Sequence, residues 1–346
     1  MMKVRFAFST RPMSHWFLAG CLALAIGACG ASPVRAEVVL KFATVQPPNS
    51  PVLTQCLKPI VTDINKAAGS EFKIQLFNAP NLANISNVWD RVANGVADIG
   101  FGIHGSTNLP FPKSTVVGLP LLLPVDKLAA GSVALWHLYA SGLIADEYKG
   151  VKPIALFTVP VQGLSMRDPI KSVDDLKGQK IRAADRTISL MVTALGASPI
   201  SVPSTENYQA ISQGLVTGSV ANVIQMIVFR IAEVSKYQLF EIPLGAPAGF
   251  IVMNPGVPGR LSEAGRKVLA AETGEKMSRQ MGACFQRLDG FLKKKLHADK
   301  TQHFIKLAPA EKAKFEKALQ PVNDRWIKET PDGDKIYASF KKDVTK

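Results

Sequence analysis

Two hydrophobic periods alternate along this chain, and that alternation is what most restricts its fold. Val38 to Val45 is a short β-rich run closed by Gln46-Pro47-Pro48-Asn49-Ser50-Pro51, and Leu53, Cys56, Leu57, Ile60, Val61 and Ile64 then recur at helical spacing until Gly69. Phe72 to Phe77 alternates like a half-buried strand, Val88, Val92 and Val96 make one helical face, and Ile99 to Phe101 leads into the loop Gly102-Ile103-His104-Gly105-Ser106. A helical pattern spans about Leu128 to Leu143, Pro153 to Thr158 is another strand, and Lys180 to Ala183 precedes a helix from about Thr187 to Leu195 that stops at Gly196. Short period-2 runs separated by helical patterns predict layered α/β structure in place of an all-helical or all-strand fold. Ser172 and Asp175 have the spacing of a capping box. In α/β folds ligands gather at the loops that follow strand C-termini, which makes Gln46, Asn49 and His104 candidates for ligand contact.

Residues 1–36 hold Lys3, Arg5, Arg11 and Arg35, no acidic residue, and an apolar stretch from Trp16 to Ala28 followed by Val34-Arg35-Ala36. This reads as a secretory signal cleaved near Ala36. The stretch is shorter than the roughly 20 residues a membrane-spanning helix needs. Cys21 and Cys29 each follow a lipoprotein-like run, so a lipid anchor at Cys29 is the alternative to soluble processing. Either way, the expected location is the periplasm.

The formal charge is +14, yet Lys293-Lys294-Lys295 is the only tight basic run in the chain beyond the leader. A spread of basic residues is a solvated surface that can also steer anionic solutes to a cleft. The basic positions do not interleave with aromatics that could stack on bases, which argues against nucleic acid. Beyond the leader the histidines are His104, His137, His297 and His303, with no His-Glu-x-x-His, Cys-x-x-Cys, Gly-x-Ser-x-Gly elbow, phosphate loop or dinucleotide fingerprint. No metal, no cofactor and no catalytic residue is expected, although two carboxylates could still meet in space. Cys56 and Cys284 remain after the leader. In an oxidising compartment they form a disulfide, or each is a small buried apolar residue; the sequence leaves both open.

Six short motifs occur in a telling order: Gly95-Val96-Ala97-Asp98-Ile99-Gly100, Leu119-Pro120-Leu121-Leu122, Lys177-Gly178-Gln179-Lys180-Ile181-Arg182, Leu195-Gly196-Ala197-Ser198-Pro199-Ile200, Gly214-Leu215-Val216-Thr217-Gly218 and Met253-Asn254. With the leader, they make the chain resemble the solute-binding subunits of tripartite ATP-independent periplasmic (TRAP) transporters, of the DctP type. The resemblance covers nearly all of the chain after residue 36. It implies a two-lobed periplasmic-binding-protein fold, type II-like, with a hinge and a ligand cleft between lobes. One lobe would be 37–160 with 248–288, the other 161–247 with 289–346. It also implies a non-enzymatic monomer that captures a small organic acid and hands it to a permease of a small and a large membrane subunit. A binding subunit of another transporter or sensor system, or a periplasmic enzyme acting on organic acids, is the alternative.

Within that resemblance Arg182 matches the family's carboxylate-binding arginine. A guanidinium presents a planar fork that meets a carboxylate with two parallel charged hydrogen bonds. The sequence departs from the family pattern in three places. Val161, next to Gln162, stands where a second arginine is common; Thr217 replaces a usual aspartate, with Ala221 and Asn222 where an asparagine often follows; Asp185 and Arg186 stand where small residues are common. A single firm arginine, with Gln162, Asn222, Gln225 and apolar neighbours such as Phe157 and Phe229, suits a monocarboxylate with an apolar or aromatic body. His104 could donate a hydrogen bond to such a ligand. Trp89 and Phe101 are expected in the core.

Overall fold

The computed structural model describes residues 37–107 and 109–345, so the leader and its cleavage site lie outside the described residues. Among the described residues eleven strands form: β1 Val38–Thr44, β2 Phe72–Phe77, β3 Ile99–Ile103, β4 Lys152–Thr158, β5 Gly163–Met166, β6 Lys180–Ala183, β7 Ser198–Ser201, β8 Gly218–Ala221, β9 Tyr237–Leu239, β10 Ala248–Met253 and β11 His303–Phe304. They build two sheets, ordered β2-β1-β3-β10-β4 and β11-β9-β5-β8-β6-β7. In the first, β1 runs parallel to β2 and β3, and β10 is antiparallel to β3 and β4. In the second, β6 runs parallel to β7 and β8, and β5 is antiparallel to β8 and β9. The α/β architecture expected from the alternating periods is present, and so is the two-lobed arrangement that the resemblance implies.

β10 follows β9 in sequence but sits in the middle of the first sheet, so the chain crosses to the second sheet after β4 and returns before β10. The two crossings are bonded to each other. Val159 N donates to Pro247 O at 3.0 Å, Gln162 N to Gly245 O at 2.8 Å, and Leu244 N to Gln162 O at 3.0 Å.

Strand β4 is buried from Pro153 to Thr158, as befits a strand covered on both faces. The helix Leu128–Ala140 and the long helix Glu275–Ala298 pack on it and on each other. Trp89 and Phe101 are in this core, as expected. A second, smaller core gathers Leu164, Ile181, Met191, Val192, Val220, Leu239, Phe315 and Leu319. The helical pattern that begins at Leu53 divides into a wide turn, Leu53–Leu57, and the helix Lys58–Ala68. Cys56 in that turn is disulfide-bonded to Cys284 in the long helix, which decides between the two cysteine readings.

The C-terminal segment divides between the cores. The resemblance groups residues 289–346 with the second sheet; β11 joins that sheet, and Phe315, Leu319 and Val322 of the helix Pro309–Glu329 are buried in its core. Trp326 of the same helix, and Ile336 and Phe340 of the helix Gly333–Val344, join the first core, because the apolar stripe of that last helix packs on Leu128–Ala140.

Candidate functional site

A cavity of about 400 Å³ opens between the two sheets. From the first sheet it takes the loop after β3, including Ile103, His104, Leu109 and Phe111; from the second, Ala184 to Ile188 at the start of the helix Arg186–Ala194, with Ser204 and Gln225. The floor is made by the crossing segments at Gln162 and Ala246 to Ala248 with Val117 and Gly118, and Trp326 and Glu329 stand at one side. Most of this wall is apolar. Its polar groups include Gln162, Ser204 and Gln225 and the charged side chains of Asp185, Arg186 and Glu329, and a mainly apolar wall with placed polar groups is usual for a small-ligand site.

Arg182 lies in β6, is only 2% exposed, and sits just behind the wall. Its Nε donates to Val202 O and its Nη2 to Ser204 Oγ, each at 2.9 Å, and Ser204 lines the cavity. Among the described residues no carboxylate forms a salt bridge with it. Burial pushes its pKa down to about 10, opposed by the charge of Asp185. A buried guanidinium without an ion-pair partner is costly to keep in a fold, and an anionic ligand is the natural compensation.

Asp185 and Arg186, adjacent in sequence, do not pair with each other. Asp185 caps its helix by accepting from Ile188 N at 2.9 Å, and burial raises its carboxyl pKa; Arg186 reaches out to Glu329 at 2.8 Å.

Gln162, Gln225 and His104 all line the cavity. Gln162 Nε2 contacts Gln225 Oε1 at a long 3.5 Å. His104 is buried against Phe111, Phe250 and Tyr148, with ring centroids 4.4, 5.3 and 5.8 Å away. Five other sequence candidates, Asn222, Phe157, Gln46, Asn49 and Phe229, do not line it. Asn222 is used up as a helix cap: its Oδ1 accepts from Gln225 N at 3.0 Å, while Gln225 Oε1 accepts from Asn222 N at 3.1 Å. Phe157 is fully buried, stacked between Phe101 at 5.3 Å and Phe285 at 5.5 Å, because β4 is covered on both faces. Gln46 binds Ser50 Oγ within its own loop, and Asn49 is exposed to solvent. Sequence reasoning missed Ser204, Phe111 and Trp326 as wall residues. Trp326 Nε1 donates to Thr115 Oγ1 at 3.0 Å across more than two hundred residues of chain, a contact no local pattern announces.

Among the described residues no cluster of three or more His, Cys, Asp or Glu could hold a metal, and no helix is long and apolar enough to cross a membrane. Two α/β sheets joined by paired crossings, with a mostly apolar cavity backed by a buried cation, define a protein of the two-lobed solute-binding class.

The comparisons agree. Residues 42–330 match the family described as bacterial extracellular solute-binding protein, family 7, and the chain belongs to that family. The family is one of transport proteins, not enzymes. The chain is 27% identical over 319 residues to the outer membrane transporter protein TsaT of Comamonas testosteroni, covering 89% of this chain and 91% of that one. A marine metagenome TRAP solute-binding protein specific for aromatic acid ligands, solved with 3-hydroxybenzoate, superposes with TM-score 0.81 at 26% identity over 90% of this chain and 99% of that one. A TRAP solute-binding protein of Rhodoferax ferrireducens T118, solved with copurified benzoate, has TM-score 0.80 at 24% identity, covering 89% and 98%, and supports the fold.

Proposed function

We propose that this chain is the periplasmic capture component of a TRAP transporter, and that its cleft takes a small monocarboxylate with an aromatic or apolar body. The observation that carries this reading is the buried Arg182, which lacks a carboxylate partner among the described residues and is bonded to a residue of a mostly apolar cavity. The ligand carboxylate would supply the missing negative charge through the Arg182–Ser204 pair, and the apolar wall would take the body. A dicarboxylate fits this lining less well, since Val161 stands in place of a second clamp and Arg186, the arginine on the wall, is already paired with Glu329. The solved relative with 3-hydroxybenzoate adds support for the ligand class.

The mechanism is closure. Residues 37–160 with 248–288 would move against residues 161–247 and part of the C-terminal segment about the bonded crossings at 159–162 and 244–247. The ligand must bind the closed state more tightly than the open one, since only differential affinity shifts such an equilibrium. The closed form would then dock on the small and large permease subunits as a monomer.

A calorimetric titration of residues 37–346 with benzoate, 3-hydroxybenzoate, succinate and a sugar acid tests the assignment. Binding of the aromatic acids with little or none of the others is expected. Preference for the dicarboxylate or the sugar acid would defeat it.

A further inference from the structure

One face of the second sheet carries a row of buried polar side chains that ends in Arg182. Gln238 of β9, Ser165 of β5, Ser219 of β8 and Arg182 of β6 are neighbours in register, so their side chains share that face. Each is 2% exposed or less. The opposite face gives Leu239, Leu164, Val220 and Ile181 to the smaller core. Apart from Arg182, every group in the row is uncharged. A guanidinium buried among neutral dipoles is left without the compensation that a carboxylate would give it.

Asn207 joins this row from the side. It begins the helix Asn207–Ser212, is 1% exposed, and its Nδ2 donates to Ser219 Oγ at 2.9 Å. Three residues earlier Ser204 Oγ accepts from Arg182 Nη2, and Val202 O accepts from Arg182 Nε. The segment 202–207 is therefore tied at both ends, by the arginine itself and by Asn207 to the strand beside the arginine. Asn207 Oδ1 is buried with no hydrogen-bond partner among the described residues. A carboxylate of the same shape could hold the same anchor, because the Ser219 hydroxyl can donate as well as accept. It would also match the charge of Arg182. Asp185, whose charge is felt at Arg182, accepts from Ile188 N and forms no salt bridge with the guanidinium among the described residues.

We propose that Asn207 is a positioning residue for the ligand-binding arginine: its neutral amide seats the segment that holds Arg182 and leaves the guanidinium charge to the ligand carboxylate. The inference rests on the organic-acid reading above. A negative charge at residue 207 would make an internal pair with Arg182, and an incoming carboxylate would then meet a cation already matched and a like charge beside it.

Two measurements on residues 37–346 test it. In calorimetry Asn207→Asp should bind benzoate at least tenfold more weakly than the parent, and Asn207→Ala, neutral but without the anchor, should lose less. Urea unfolding without ligand reads the pairing itself. Asn207→Asp should raise the denaturant midpoint of the parent, yet lower that of Arg182→Ala, where the new charge is buried alone. Undiminished benzoate binding by Asn207→Asp, a greater loss in Asn207→Ala, or midpoint shifts of the same sign in both backgrounds would overturn the inference and leave the organic-acid reading in place. A parent that binds no aromatic acid would overturn that reading, and the unfolding midpoints would still decide whether residue 207 meets the charge of Arg182.

Discussion

Arg182 Nη2 donates to Ser204 Oγ at 2.9 Å, while Nε of the same guanidinium holds Val202 O at the same distance. One side chain thus fastens the segment after β7 and presents a charge behind the cleft wall. The two roles separate by substitution. Arg182→Ala leaves a buried carbonyl unpaired and should cost about 1–3 kcal/mol of stability, together with at least ~2 kcal/mol of carboxylate binding. Arg182→Lys keeps the charge but loses the fork, so affinity should drop about tenfold. Ser204→Ala should weaken binding while leaving the melting temperature nearly unchanged. Titration and thermal melts on the three variants check this; unaltered affinity in Arg182→Ala would remove the arginine from the site.

Cys56 and Cys284 are joined across 228 residues, tying the turn before the first long helix to the helix Glu275–Ala298. Closing so long a loop restricts the unfolded chain, and such bridges are worth about 2–4 kcal/mol. A double Cys→Ala variant, or reduction of the bridge, should therefore lower the denaturant midpoint and, because the unlinked unfolded chain is more expanded, steepen the transition. Equal midpoints for the oxidised and reduced protein would show that the bridge contributes nothing.

Local patterns carried much of the fold. β2 follows directly from alternation at Phe72–Phe77, β6 lies at the short strand read at Lys180–Ala183, and Ser172 with Asp175 forms the capping box that their spacing predicts. Arg182 was legible because a motif sits on a short strand. The rest of the wall was not, for reasons that are geometric. Asn222, by contrast, stands one position before a helix and three before Gln225, a capping-box spacing that assigns its amide to Gln225 N and not to a ligand. Phe157 belongs to a strand covered on both faces, so period alone cannot say which side it faces. Trp326 and Phe111 meet the cavity from segments far apart in sequence, and only tertiary packing brings them together.

Gly245 lies in the returning crossing with φ +76°, and a Cβ there would drive into the backbone of Gly118, a cavity-floor residue. Its carbonyl also receives Gln162 N at 2.8 Å. Gly245→Ala adds left-handed strain of about 1–2 kcal/mol to a backbone clash that no rotamer relieves. The variant should be less stable and should also bind more weakly, because the displaced Gly118 and Gln162 form the floor. A stable variant with full affinity would mean that this crossing yields without disturbing the cleft.

His104 and His137 should act on stability in opposite directions of pH. Burial lowers the His104 pKa from 6.5 to about 4, whereas His137 is raised, first by its hydrogen bond to Asp343 and with help from Glu275. Between pH 6.5 and about 4 the unfolded chain binds a proton at His104 that the folded chain refuses, so this residue's contribution is lost as pH falls through that window. The full loss is about 3 kcal/mol. His137 stabilises fully below the unfolded value, and that contribution fades as pH rises through its elevated folded pKa. Urea unfolding of the parent, His104→Phe and His137→Gln across this range isolates each effect as a difference from the parent. His104→Phe should flatten the acid limb, and His137→Gln should remove part of the decline toward neutrality. An acid limb of the same steepness in His104→Phe would mean that the imidazole is not held neutral by burial.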